Sequence, residues 1–138
     1  MSDQKVTHDT AVLAKEKGFD ENTLEAWMIL HSGAQPSSLN HGYPKRWNSD
    51  KTLEQGCYIA RPTQTQLHRW LREKHLLSVE VKSVRGGCQA NVVRITASGA
   101  YVGLIEFHLP SKPTIYEEAL EVGLLSALSH ITVNKPEE

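Results

Sequence analysis

The sequence predicts an α+β domain in the order α-β-β-β-α, with a three-stranded antiparallel sheet and two helices packed on one face of it. Three observations carry this expectation. Thr63 with Gln66, and Thr114 with Glu117, form two capping boxes. In each, the Thr hydroxyl accepts from a backbone N–H three residues on, and the longer side chain reaches back to the cap. Between these boxes the apolar period passes from three-and-four spacing to alternation, and then returns. The alternating segments are joined by Arg85-Gly86-Gly87 and Ser98-Gly99, short turn sequences that favour a meander.

Taken in order, residues 1–60 read as an N-terminal extension. Residues 1–9 look frayed, and Thr10 to Lys17 is a short helix stopped by Gly18, which suits the left-handed C′ position. After Asp20, the spacing of Leu24, Trp27 and Met28 leans to helix, although WMIL also fits a strand. His31 to Asp50 is rich in Ser, Gly, Pro and Asn and reads as a long surface loop. Loops of this length are often functional. Tyr43 and Trp47 are therefore loop candidates, either pinning the segment to the core, the commoner role, or meeting a ligand. Cys57 to Ala60 is a short strand.

The 61–132 segment holds the αβββα domain. Its first helix, Thr63 to Lys74, buries Leu67, Trp70 and Leu71. Leu77, Val79 and Val81 alternate with polar residues, and the next strand points Val93 and Ile95 inward. Strict alternation in the third strand puts Tyr101, Ile105 and Phe107 on one face. The last helix, about 115–130, presents Tyr116, Ala119, Leu120, Gly123, Leu124, Ala127, Leu128 and Ile131 on one broad face. Gly123 costs roughly 1 kcal/mol against Ala in mid-helix, which a close approach to a neighbour would explain. Residues 133–138 read as a disordered tail.

Composition fits a globular protein: of 138 residues, 39 % are hydrophobic and 22 % charged. No apolar run approaches the roughly 20 residues of a membrane span, and the N-terminus lacks the apolar core of a secretory signal. Two cysteines, Cys57 and Cys88, are expected as free thiols in a reducing cytoplasm. The net charge of −1 is unevenly spread. Residues 61–112 carry eight Lys/Arg against three Asp/Glu, while residues 113–138 carry one against five.

Candidate sites follow from this map. Arg61, His68, Arg69, Arg72 and Lys74 form the best basic cluster, a phosphate- or acidic-partner-binding face or, more commonly, a solvated helix face. His68 and His75 stand seven apart, and His31 and His41 share the loop with Asp50, but neither set has a recognised ligand spacing. Cys88 lies outside any nucleophile motif, and no phosphate-cradling glycine pattern occurs. Glu117 and Glu118 suit a helix N-terminus rather than a carboxylate dyad. No catalytic residue, metal or cofactor is expected.

Two stretches, ARPTQTQLHRWLREKH and TIYEEALEVGLLSALSHI, resemble a family of small uncharacterised proteins from gut-bacterial phages and prophages. Ala14 to Asp20 is similar to that family's N-terminal segment. The resemblance rests on caps and helix stripes, so it implies a common fold, a phage or prophage gene and a place in the cytoplasm of the bacterial host, with no settled activity. At fold level alone, α-β-β-β-α also resembles the double-stranded RNA-binding domain. That domain places lysines at the start of its second helix, where this chain has Glu117 and Glu118. The expected function is a non-enzymatic binding or protein-interaction module, with nucleic-acid binding through the basic helix as the alternative. A homodimer is the favoured partnership, through an outer sheet face carrying Val102 and Leu104 beside Glu106 and His108.

Overall fold

The computed structural model describes residues 4–29, 36–45, 48, 51–52, 56–109 and 115–131. The expectations for His31, Trp47, Asp50, Thr114 and the 133–138 tail lie outside the described residues. The protein is α+β and contains the expected three-stranded antiparallel sheet. The chain divides into two compact units, one of Lys5–Pro62 and one of Met1–Gln4 with Thr63–Glu138.

The first unit opens with α1 (His8–Glu16), which Thr7 caps by accepting from the Thr10 N–H at 3.4 Å. From Gln4 onward the start is not frayed: Val6 is fully buried and donates its N–H to the Pro62 carbonyl at 3.1 Å. Gly18 takes the left-handed position expected after the helix, at φ +97°. Next come β1 (Thr23–Ile29), β2 (Pro36–Lys45), β3 (Lys51–Thr52) and β4 (Gly56–Arg61), in the antiparallel sheet order β2-β1-β4-β3.

Two expectations are corrected here. Thr23–Ile29 is a strand, not a helix. It is central, with Trp27 opposite Leu39 on one side and Ile59 on the other. Pairing on both sides overrides a weak helical stripe, and Leu24, which that stripe would bury, is 57 % exposed. The supposed loop contains the ten-residue strand β2. Its polar composition hid it, because an edge strand needs little apolar content and accepts Pro36 as its first residue. Asn48, from the same segment, is buried. It donates to the Phe19 carbonyl at 2.8 Å and accepts from the Ala60 N–H at 2.7 Å.

The second unit starts with α2 (Gln64–His75). Thr63 Oγ1 accepts from the Gln66 N–H at 3.1 Å, as the capping pattern requires, and Leu67, Trp70 and Leu71 are buried. Next are β5 (Leu77–Val84), β6 (Gly87–Ile95) and β7 (Tyr101–His108), in that order in the sheet, and then α3 (Tyr116–Ser129). The cap of α3 falls on Ile115, one residue later than expected. Ile115 has no side-chain oxygen to offer, and only the return bond forms, with the Glu118 carboxylate accepting from the Ile115 N–H at 3.4 Å.

Helix α3 packs across all three strands, and α2 packs against α3 and the edge strand β5. Ala119, Leu120, Leu124, Ala127 and Leu128 are buried, whereas Tyr116, expected on the same face, is 52 % exposed. Gly123 permits the close approach: a Cβ there would overlap Val79 Cγ1 and stand 3.2 Å from Ala90 Cβ. Gln64, only 2 % exposed, ties the helices together by donating to the Glu117 carbonyl at 3.0 Å and to Glu121 Oε1 at 2.9 Å.

The alternation expected for the third strand is broken twice. The pairing of β6 with β7 skips Val102 and Ile105, leaving each as an extra residue on β7. Asn91, Val93 and Ile95 consequently face Phe107, Leu104 and Tyr101, while Val92 and Ala90 face Glu106 and His108. Leu104 therefore shares a face with Tyr101 and Phe107, not with Glu106 and His108. The bulges reverse the expected parity.

Candidate functional site

Strand β7 is the most unusual surface of the second unit. It lies at the edge of its sheet, yet Tyr101, Val102, Leu104 and Phe107 are each more than half exposed, as is Leu109 just after it. Sheet edges and faces of ordinary proteins are blunted with charge and are rarely this apolar. The row Tyr101, Leu104 and Phe107 occupies the sheet face opposite α3, since Val79 and Ala90 on the other face meet Gly123 of that helix. The expected interface residues Val102 and Leu104 are thus both in solvent, on a strand whose exposed apolar surface is larger than that pair. Tyr101 and Phe107 were missed because strict alternation assigned them to the interior. Bulges leave little trace in sequence.

On the α3 side of the same strand, Glu106 gathers two histidines. His130 Nε2 lies 2.6 Å from Oε1 and His108 Nε2 lies 3.1 Å from Oε2. The hydrogen bond from His130, with another from Ser126, holds the Glu106 carboxyl below its ordinary pKa. Among the described residues no three His, Cys, Asp or Glu side chains are arranged to hold a metal ion.

The residues of the basic cluster are divided between the two units. Arg61 belongs to β4, where its guanidinium reaches Glu25 Oε1 at 3.2 Å and lies 4.9 Å from the centre of the Trp27 ring. His8 meets the same indole edge-on at 5.1 Å, and Lys5 pairs with Glu25 at 3.2 Å. Arg61 is therefore a structural cation of the first unit. Arg69, Arg72 and Lys74 do lie on α2, with Arg69 and Lys74 exposed.

His68, also on α2, is turned to the sheet. Its Nε2 accepts the Val79 N–H at 3.0 Å, which makes Nε2 the unprotonated nitrogen of a neutral ring. Ser78 Oγ stands 3.2 Å from the same atom. Burial, helped by the Arg72 charge, lowers the His68 pKa to about 4. This resembles a Ser–His pair, but the ring's lone pair is already taken by a backbone amide, so it is a poor base for Ser78. The geometry instead occupies an N–H on the outer edge of β5. His75 packs edge-on against Trp70 at 4.7 Å, and burial lowers its pKa.

His75, Leu77, Arg94, His130 and Ile131 line an open depression of about 250 Å³. It places the Arg94 guanidinium where α2 and α3 both end, and two helix C-termini oppose the binding of an anion there. The other loop candidate, Tyr43, lies within β2, and Cys88 is half-buried near the start of β6. No helix among the described residues is long and apolar enough to cross a membrane.

Comparison with protein-family models, curated proteins and solved structures finds no match.

Proposed function

We propose that the protein is a non-enzymatic interaction module that docks through the exposed surface of β7, onto a protein partner or onto a second copy. The exposed row of Tyr101, Leu104 and Phe107 carries this reading, because large apolar side chains concentrated on one strand mark contact surfaces. Among the described residues the most perturbed titratable group, His68, spends its acceptor on the backbone rather than on chemistry. The resemblance of both helices to phage and prophage proteins is in keeping with a small module of this kind in a bacterial cytoplasm.

A photo-crosslinking amino acid at position 104 tests the reading in the organism that carries the gene, with position 82 as the control, since Lys82 is exposed on β5 of the same sheet. Adducts from position 104 and none from position 82 are expected. No adduct from position 104 would overturn it. Nucleic-acid binding stays the second reading on the strength of Arg69, Arg72 and Lys74 alone, without Arg61 and His68.

A further inference from the structure

We infer that the occupant of the β7 surface is a second copy of this chain, packed face to face about a two-fold axis at Leu104. The inference rests on the interaction-module reading and names its partner. The row along the strand is aromatic, Leu, aromatic, with Leu104 midway between Tyr101 and Phe107 in the chain. A two-fold axis at Leu104 lays each leucine on its symmetry mate and each Tyr101 against the partner's Phe107. The patch is then complementary to itself, as an isologous interface requires. Two aromatic pairs flanking a leucine pair are also the kind of anchor that dominates interface energetics.

Tyr101, Val102, Leu104, Phe107 and Leu109 are between 51 and 63 % exposed, so two copies together can remove about 1,000 Å² from water, the least that a specific interface needs. The contact is made by side chains rather than by a shared strand ladder. Val102 and Ile105 are extra residues in β7, and bulges interrupt the regular N–H and C=O spacing a ladder needs.

The test uses the purified full chain in a Cys57→Ser, Cys88→Ser background. Light scattering at micromolar concentration should give a two-chain mass. Leu104→Lys should halve it, and Leu125→Lys, on an exposed position of α3, should leave it unchanged, with circular dichroism reporting the fold of each. Under mild oxidation Leu104→Cys should form a disulfide-linked pair of chains and Glu80→Cys should not. A one-chain mass, or a two-chain mass that survives Leu104→Lys, would overturn the inference. A one-chain mass together with cellular adducts to another protein from position 104 would sink the second copy and leave the module reading standing. The absence of any adduct from that position would sink both.

Discussion

The Gln64 side-chain amide donates to the Glu121 carboxylate at 2.9 Å and to the Glu117 carbonyl at 3.0 Å, from a site where Gln64 is almost wholly buried. A polar residue at the first position of α2 thereby fixes how α2 meets the first turns of α3. Hydrogen bonds to charged groups contribute about 1.5–3 kcal/mol, so Gln64→Leu should cost about 1–3 kcal/mol in urea unfolding. Gln64→Glu would set a second carboxylate against Glu121, and its deficit should be larger at pH 7 than at pH 4. An equal deficit at both pH values would show that the bond to Glu121 is unimportant.

Gly123→Ala opposes two effects of known size. Helix propensity favours Ala by about 1 kcal/mol, but the new methyl would meet Val79 Cγ1 in a packed site, and overpacking costs about 1–3 kcal/mol. Net destabilisation is expected. Adding Val79→Ala should recover part of it, because the two positions touch and their effects couple. A stabilised single variant would mean that α3 stands further from the sheet.

His68 makes stability depend on pH with a definite sign. Its pKa is about 4 in the folded protein, against about 6.5 unfolded. The unfolded chain therefore takes up the proton first as pH falls. The His68 contribution is complete above about pH 6.5 and is lost progressively down to about pH 4, a change of about 3 kcal/mol. His68→Gln retains an acceptor for the Val79 N–H but does not titrate. The variant should lose less stability than the parent between pH 7 and pH 4, and parallel curves would refute the assignment.

Duplex RNA should bind weakly or not at all. Glu117 and Glu118 occupy the first turn of α3, where the RNA-binding fold places cations, and only Arg69, Arg72 and Lys74 remain of the basic cluster. Micromolar binding at physiological salt, falling steeply as salt rises and lost in an Arg69→Ala, Arg72→Ala double variant, would promote the nucleic-acid reading.

The second unit was largely legible because its signals are local. The Thr63 cap, the stripe of Leu67, Trp70 and Leu71, and the alternation of β5 each need only a few neighbouring residues to declare themselves. In the first unit the short helix, its Gly18 stop and the strand at Cys57–Ala60 were legible for the same reason, but β1 and β2 were not, since β1 owes its conformation to distant partners such as Leu39 and Ile59 for Trp27. The candidate surface was half legible. Val102 and Leu104 stood out as outward apolar residues, but Tyr101 and Phe107 were hidden by bulges, which depend on how β6 is aligned rather than on the residues of β7.

The bond from the Val79 N–H to His68 bears on how far an assembly of this chain can grow. A sheet with two clean margins is a potential monomer of a polymer, each copy templating the next without limit. Here one margin is plugged by an imidazole and the other is put out of step by Val102 and Ile105. On the face-to-face pairing proposed above, stacking by side chains would be a terminating step, with the count stopping at two. Deleting both extra residues would restore an even strand, and such a chain should form fibres with a lag that shortens as concentration rises.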